Sequence, residues 1–568
     1  MPRIWNIAKP EIKLQAEFKK ELGISQILSQ ILINRGINEP GEARRFLRPV
    51  LSDLVNPRSL PDIAVACARL KRAIKNKEKV MVFGDYDADG ITATALLKSL
   101  LGKLGLEVIH YLPHRVKEGY GLNKEAVRLA KEKSVNLFIS VDCGTASINE
   151  IEELRRMKID TIVIDHHQPT TAKLPPALAL INPKRADSEY GYKDLAGVGV
   201  AYKFAQAITQ EALEEDLDLV CLGTIADVVP LNGENRIIAK QGLYCLAQTK
   251  RPGLKALMKQ SGIKDGAIDA RSVSYIIGPR INASGRIDSA EVSLQLLMSE
   301  SEAEAEELAK LVNRHNQKRQ AIESVILKEA QDIINKEVNF KDQRVIVVSK
   351  EGWHQGVLGI VASKLADRFY RPAIVISIAD NLCRGSCRSI KNFHILEALL
   401  ACKYLLKQFG GHSRAAGLSI AKDKIKDFQE AINSVARERI ALEDLYPRLD
   451  IDLEVKLSDL DEGVLGELEQ LAPFGEGNRE PVFYTKNLKL KSEPEVLGRD
   501  TLRLWVTDGD KTFKAVGFNL GMLKDEILES DHFDLAYTPG FDRWYEPAAI
   551  QLEIKDIRLF RPSEPCRP

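Results

Sequence analysis

The sequence predicts a multidomain α/β protein: a parallel-sheet domain joined by a long helix to a smaller α/β domain, then an all-β barrel. Three observations carry this. Between about residues 78 and 164, apolar strand-like runs alternate with amphipathic helical stretches. Residues 301–336 are rich in Glu, Ala, Lys and Leu and contain neither Gly nor Pro. From about 440 onward the helical period gives way to short alternating runs. At 568 residues the chain is long enough for several domains with sizeable cores.

Taken in order, residues 1–50 read as a helical lead-in punctuated by Gly23, Gly36 and Gly41. Val80–Gly84 is an apolar strand, and Ile91–Leu101 the helix behind it. Then follow strand Glu107–Tyr111, helix 123–134, strand 137–141, helix 147–157 and strand 161–164. Such alternation implies right-handed βαβ units and a parallel sheet covered on both faces, with ligands gathering outside the carboxyl ends of the strands. In 301–336, Leu308, Leu311, Val312, Ile322, Val325, Ile326, Ala330, Ile333 and Ile334 recur at helical spacing, which predicts one long connecting helix. The second α/β block is expected as strand Val345–Val348, helix Gly356–Phe369, strand Ala373–Ile378 and helix His394–Phe409. Leu488–Leu490, Thr501–Val506, Thr512–Gly517, Phe533–Tyr537 and Ile550–Ile554 read as five short strands, with Asp508-Gly509 as a hairpin signal. A five-stranded barrel of this size suggests an OB-like module. The expected boundaries are 1–50 for the lead-in, 51–300 for the first α/β domain, 301–336 for the helix, 337–440 for the second α/β domain and 441–568 for the barrel.

Composition is that of an ordinary soluble protein, 44% hydrophobic and 28% charged. The formal net charge of +1 gives the whole chain no basic signature, so a grip on a polyanion has to be a local patch. No apolar run of signal or membrane-spanning length occurs, and the expectation is a cytoplasmic protein without a membrane partner. The eight cysteines are scattered, and Cys383 with Cys387 lacks the second pair a zinc site needs, so reduced structural thiols are expected.

Chemistry concentrates in acidic clusters. Gly84-Asp85-Tyr86-Asp87-Ala88-Asp89-Gly90 sets three carboxylates on alternate residues after an apolar run, and Asp142 and Asp165-His166-His167 likewise follow apolar runs. Asp227 closes Gly223-Thr224-Ile225-Ala226-Asp227. Crowded carboxylates repel one another, and hard divalent cations are the usual remedy. An EF-hand needs Glu at the twelfth position of its loop, and counting from Asp85 that position is Leu96. Asp87 also suits a helix cap, Asp142 a turn before Gly144, and the His pair hydrogen-bonded edge positions. Asp227 ends a helix, where a carboxylate is poorly placed unless a cation sits nearby. Mixed Asp and His ligation favours Mn²⁺ or Zn²⁺ over pure Mg²⁺, and together these residues supply enough ligands for two ions. Two ions in one site suit phosphodiester hydrolysis.

The segments Asp-Tyr-Asp-Ala-Asp-Gly (85–90), Val-Asp-Cys-Gly (141–144), Asp-His-His (165–167) and Gly-Thr-Ile-Ala-Asp-Val-Val-Pro-Leu (223–231) resemble the successive motifs of the DHH phosphoesterase superfamily. Gly410-Gly411-His412-Ser413-Arg414-Ala415-Ala416-Gly417 resembles the glycine-rich signature of the associated DHHA1 domain. Gly278-Pro279-Arg280-Ile281-Asn282-Ala283-Ser284-Gly285-Arg286, Trp353-His354-Gln355-Gly356-Val357 and Pro473-Phe474-Gly475-Glu476-Gly477-Asn478 sharpen the likeness to the RecJ single-stranded-DNA exonucleases, in order from about 50 to 560. Many relatives begin the first motif with His where this chain has Asp85, which bears on metal preference.

The resemblance implies a DHH domain, a DHHA1 domain and an OB-like domain, two Mn²⁺ ions or Mg²⁺, and 5′→3′ digestion of single-stranded DNA to 5′-mononucleotides in recombination and repair. One ion would be held by Asp85, Asp87 and Asp142, the other by Asp89, Asp142, His166 and Asp227, with Asp142 bridging. His167 would act beside the scissile phosphate and Arg280 would contact phosphate. Arg115, Tyr120, Ser386 and Arg388 resemble positions that hold the 5′-terminal phosphate, while Gly411 and His412 would approach the DNA backbone. A single-strand-binding protein and a helicase are partners implied by the family alone. Trp505, Phe513, Phe518, Tyr537, Phe541, Trp544 and Tyr545 supply rings, of which two or three are expected to be exposed for stacking bases. Against this stand a small-substrate DHH phosphodiesterase, which residues 450–560 disfavour, and a silent scaffold, which the intact ligand set disfavours.

Overall fold

A computed structural model describes residues 3–169, 173–264, 266–379, 382–498, 500–542 and 549–560. They form two compact units, Leu54–Val229 with Gln241–Pro447, and Met1–Asp53 with Pro230–Lys240 and Arg448–Pro568.

The first unit is built on the sheet that the β-branched runs predict. Strands β1 (Lys79–Gly84), β2 (Glu107–Tyr111), β3 (Leu137–Val141), β4 (Asp160–Ile164) and β5 (Ala179–Ile181) are parallel, in the order β2-β1-β3-β4-β5. One face carries helix α1 (Ala88–Lys103), which is buried over most of its circumference between the sheet and helices α2 (Gly197–Thr209) and α3 (Leu217–Ala226). On the other face, Ala126, Val127, Ile151 and Leu154 from helices Lys124–Glu132 and Ile148–Arg156 pack on Met81, Phe83 and Phe138. Covering both faces is what near-continuous apolar strands require. Helix α4 (Gly278–Ile287) and the 36-residue helix α5 (Glu302–Glu337) follow, the latter capped by the Ser301 side chain on Glu304 N.

Five further strands complete this unit: β6 (Ile346–Glu351), β7 (Ala373–Ile378), β8 (Cys383–Arg388), β9 (Leu406–Gly411) and β10 (Ala415–Ile420), in the order β9-β10-β8-β7-β6. Helix α6 (Leu358–Phe369) lies between β6 and β7 in the chain. The helix expected over His394–Phe409 is a correction: it ends at Ala401, and Leu406–Gly411 is a strand. Leu399, Leu405, Leu406 and Phe409 mimic a helical period, but Gly410 and Gly411 are poor helix formers, and pairing with β10 satisfies the backbone as a hairpin edge.

In the second unit a strand at Ile4–Ile7 pairs in parallel with Arg448–Ile451, so the two ends of the chain share one fold. Helices Ile12–Leu22, Gln26–Asn34 and Pro40–Leu47 bury Phe18, Leu28 and Ile31 in the same core as Phe483, Leu504 and Phe533. The β part has seven strands, β11 (Leu453–Glu454), β12 (Phe483–Leu490), β13 (Glu495–Leu497), β14 (Thr501–Thr507), β15 (Thr512–Phe518), β16 (His532–Asp542) and β17 (Ala549–Phe560). Their order is β11-β12-β16-β17-β15-β14-β13, and the sheet curls so that β12 also meets β14 through Lys489↔Thr507 and Leu490↔Val506. Asp508-Gly509 makes the expected turn, with Gly509 at φ +102 and Asp508 accepting from the Asp510 and Lys511 amides.

Two buried polar side chains tie this unit together. Arg236, 1% exposed, donates to the carbonyls of Phe46, Leu471, Gln470 and Ala472, and Asn478 Nδ2 donates to those of Leu471 and Pro473, each at 2.8 Å. Arg236→Met takes the donor from the Phe46 and Ala472 carbonyls, while Leu471 keeps Asn478 and Gln470 keeps Lys240, and is expected to lower stability by about 3 kcal/mol, read as a lower urea midpoint with an unchanged slope.

Candidate active site

The acidic residues meet at the carboxyl ends of the first sheet. Asp85 to Asp87 form the turn from β1 into α1 and Asp89 lies in the helix's first turn, Asp142 follows β3, His166 follows β4, and Asp227 stands at the C-cap of α3. Backbone geometry is demanding here. Asp142 sits at φ +60, and a Cβ on Gly90 would lie 2.6 Å from Asp85 N and O. A Cβ on Gly197 would lie 2.7 Å from Asp142 Oδ1, so Gly90 leaves room for the Asp85 backbone and Gly197 for the Asp142 carboxylate.

Each acid is aimed by specific partners. Asp87 caps α1, its Oδ1 accepting from Asp89 N and Gly90 N at 3.1 and 3.2 Å. Asp89 accepts from Gly197 N and Val198 N at the start of α2, at 2.6 and 2.7 Å. Ala88 N donates to Asn282 Oδ1 on α4 at 2.8 Å, which fixes the loop from a third side. The ligand-type atoms fall into overlapping sets, each within 4.8 Å: Asp85, Asp87 and Asp142; Asp89, His166 and Asp227; Asp142, His166 and His167. His166 Nε2 lies 3.2 Å from Asp142 Oδ1, 3.7 Å from Asp227 Oδ2 and 3.9 Å from Asp89 Oδ2.

This arrangement fits divalent cations. Asp85 Oδ1, Asp142 Oδ1 and His166 Nε2 are buried without a hydrogen-bond partner, the 3.2 Å approach of the last two being misaligned for one. Burial pushes the Asp85, Asp142 and Asp227 carboxyls well above the usual range, and their neighbouring acids push further. Asp89 is pushed up to about 7 by burial and Asp87, against the two amides it accepts from. Burial and then His167 hold His166 down at about 3, so it stands as a neutral imidazole ready to ligate.

His167 is set differently. Its Nδ1 lies 2.8 Å from Asp165 Oδ1 and 3.0 Å from the Tyr120 hydroxyl. Asp165 also accepts from the amides of Thr145, His166 and His167. Burial favours the neutral acid, but the His167 contacts outweigh it and leave Asp165 below its ordinary value. Burial likewise opposes charge on His167, and Asp165 more than offsets that, holding it above its ordinary value. Asp165 is therefore a positioning residue. It opens the Asp165-His166-His167 segment but carries no role in the ligand sets expected from the sequence.

Beside the acidic cluster a cavity of about 1050 Å³ opens among the loop after β2, the start of α6, and strands β8, β9 and β10. Arg115, Tyr120, Ser386 and Arg388, the positions that the resemblance assigns to a 5′-terminal phosphate, all line it. Arg115 lies over the Tyr86 ring at 4.5 Å. Glu118 shapes the loop carrying Arg115 and Tyr120, accepting from the Tyr111 hydroxyl at 2.6 Å, the Asn123 amide at 2.8 Å and His114 N at 2.9 Å. Arg280 is placed elsewhere: its guanidinium donates to Asn313 and to the Ile276 carbonyl, and it does not line the cavity. Arg286 of the same segment does line it, donating to Gly356 O at 3.1 Å. Burial and the nearby Arg115, Arg319 and Arg388 bring Arg286 down to about 9. Gly411 and His412 are exposed on the β9–β10 hairpin, with Gly410 in the cavity wall. Among the expected stacking rings, Trp505 and Phe518 are exposed and Tyr537 is buried, whereas Trp544 and Tyr545 lie outside the described residues.

Comparison with known proteins gives concordant likenesses. The DHH family N-terminal domain profile matches residues 79–224, the DHHA1 domain profile 342–438 and the RecJ OB domain profile 451–556. The chain is 38% identical to the single-stranded-DNA-specific exonuclease RecJ of Bacillus subtilis, covering 98% of this chain and 71% of that protein. It is 34% identical to the Escherichia coli protein of the same name, covering 97% and 98%. The crystal structure of RecJ in complex with Mn²⁺ from Thermus thermophilus matches with a TM-score of 0.85 at 28% identity, over 98% of this chain and 80% of that one. The corresponding Mg²⁺ complex matches with a TM-score of 0.80.

The carboxyl shifts dictate a pH dependence. Asp85, Asp89, Asp142 and Asp227 bind protons more tightly folded than unfolded, so their contribution is full below the ordinary carboxylate range and is lost as pH rises through the raised values. Metal-free protein is expected to melt at progressively lower temperature as pH rises toward and past about 7, the four acids outweighing His166, whose depressed value gives an opposing slope that fades above its ordinary 6.5. Mn²⁺ should raise the melting temperature and flatten that dependence, as scanning calorimetry with and without chelator would measure.

Proposed function

Because the chain belongs to the RecJ family of single-stranded-DNA-specific exonucleases, we propose that it removes nucleotides one at a time from the 5′ end of single-stranded DNA, releasing 5′-mononucleotides. The protein is a metal-dependent hydrolase that acts on DNA in recombination and repair. The observation that carries the reading is the pair of donor sets, Asp85 with Asp87 and Asp142 and Asp89 with His166 and Asp227, beside a cavity rich in arginine.

Asp85, Asp87 and Asp142 would hold one Mn²⁺ or Mg²⁺, and Asp89, Asp142, His166 and Asp227 the second, with Asp142 shared. When bound, such ions activate water and neutralise charge on the phosphoryl and leaving oxygens. The chain's own groups do the rest. Asp165 keeps the Nδ1 of His167 engaged and its charge favoured, which leaves Nε2 to donate to a phosphoryl oxygen as charge builds there. Arg388, Ser386 and Arg115 would seat the 5′-phosphate, guanidinium groups matching phosphate oxygens in pairs. Water adds to the phosphorus of the second nucleotide, the bond to the first nucleotide's O3′ breaks, and that oxygen takes a proton. The shortened strand carries a new 5′-phosphate, so the same seat serves every cycle and sets the polarity. The protein would work in the cytoplasm beside a single-strand-binding protein and a helicase that present the strand. Among the described residues no helix is long and apolar enough to cross a membrane.

A 3′-labelled, 5′-phosphorylated single strand in Mn²⁺ is expected to shorten steadily from its 5′ end, while duplex and chelated samples stay intact. Shortening from the 3′ end, or digestion confined to short RNA oligomers, would overturn the assignment. His167→Ala should lower kcat by about 100- to 10,000-fold while Mn²⁺ binding, measured by calorimetry, is retained.

A further inference from the structure

The cavity holds more charge and more room than a terminal monophosphate needs. Arg115, Arg286 and Arg388 stand on the side of the acidic cluster: Asp85 feels Arg115, and Arg286 feels both Asp87 and Arg388. Arg384, Lys403 and Lys407 also line the cavity and are exposed. Among the described lining residues Glu118 is the one carboxylate, and three donors within its own loop already occupy it. A 5′-monophosphate brings at most about two negative charges.

Strand geometry shows where the surplus lies. Arg388, Ser386 and Arg384 are alternate residues of β8 and share one face, a row of about 13 Å at about 3.3 Å per residue. Across the sheet, Ser386 stands opposite Gly417 of β10, which pairs with Gly410 of β9, so the floor beside Ser386 carries no side chains for two strands. The next rung is polar: Arg384 pairs with Ser419, and Ser419 with Gln408. Arg384 uses one nitrogen on the Val116 carbonyl at 2.8 Å and has further donors.

We propose that this bare floor and its cationic rim accept a 5′-polyphosphate, so that single strands ending in a 5′-triphosphate are substrates whose first nucleotide leaves as a nucleoside triphosphate. The inference rests on the 5′-end reading above. The α-phosphate occupies the Arg388–Ser386 seat, and the β- and γ-phosphates lie over Gly417 and Gly410 toward Arg384, Lys403 and Lys407. Water adds to the second nucleotide's phosphorus, the bond to O3′ breaks, O3′ takes the proton, and the triphosphate stays attached to the departing nucleotide. All later products are monophosphates.

The test uses the full chain with Mn²⁺ and three 3′-labelled single strands that differ only in a 5′-triphosphate, monophosphate or hydroxyl, with products resolved by ion exchange. The triphosphate strand should shorten at least as fast as the monophosphate strand and release one nucleoside triphosphate per strand. Lys403→Ala/Lys407→Ala should raise KM for the triphosphate strand by about tenfold and change the monophosphate strand less than about twofold. A resistant triphosphate strand, pyrophosphate as the first product, or equal losses on both strands would each overturn the proposal. A monophosphate strand left intact by the unmutated protein would sink the exonuclease reading as well, which separates the two failures.

Discussion

Everything in the first unit is organised around mutual repulsion among carboxylates that are almost fully buried. Asp85, Asp89 and Asp142 are each about 2% exposed or less, and burial first raises their proton affinity, followed by Asp87 at Asp85 and Asp89, and by Asp89, Asp87, Asp227 and Asp85 at Asp142. A chain left to itself spreads such groups into water. Here the turn from β1 into α1 is held by the capping bonds of Asp87, by the α2 amides on Asp89 and by Asn282 from α4. The fold supplies rigidity from three directions so that the charges cannot relax apart, and cations are the compensation this geometry selects.

The same logic explains why the cationic cavity adjoins the acidic cluster. Arg115 acts on Asp85 and Asp87 acts on Arg286, yet Asp85 remains shifted upward because burial outweighs the attraction of Arg115. The arginines therefore do not neutralise the acids, and Arg286 is itself brought down by burial and then by Arg115, Arg319 and Arg388. Two regions of like-charged, poorly solvated groups are each left short of a counter-charge. A phosphate chain laid across both, with cations on one side, relieves both at once. On the proposed reading, substrate binding would thus be coupled to the electrostatic frustration of the free protein rather than added to a neutral surface.

The acidic centre was legible in the sequence because strand periodicity and carboxylate position agree: apolar runs end where Asp85, Asp142 and Asp165 begin. The cavity was only half legible. Arg115, Ser386 and Arg388 came from resemblance, while the basic patch itself was hidden behind a net charge of +1. Its cations come from segments far apart in the chain. The strand at Leu406–Gly411 was masked by an apolar spacing that also suits a helix, and only its partner Ala415–Ile420 decides between them. The joining of Ile4–Ile7 to Arg448–Ile451 leaves no local signal at all, since a parallel pairing between distant segments is a tertiary choice.

A motif marks a constraint without saying which constraint it is. The segment Pro473–Asn478 belongs to the same resemblance as the acidic motifs, yet Asn478 is fully buried and bonded to backbone carbonyls in the second unit, so its role there is to hold a turn. The segment Gly278–Arg286 mixes both kinds. On α4, six residues turn through about 600°, so Arg280 and Arg286 point to faces about 120° apart. Arg280 meets Asn313 on α5, and Arg286 meets the cavity. Between two arginines of one motif, helix phase decides which faces the cavity and which meets the neighbouring helix. That phase has meaning only once the neighbouring elements are in place.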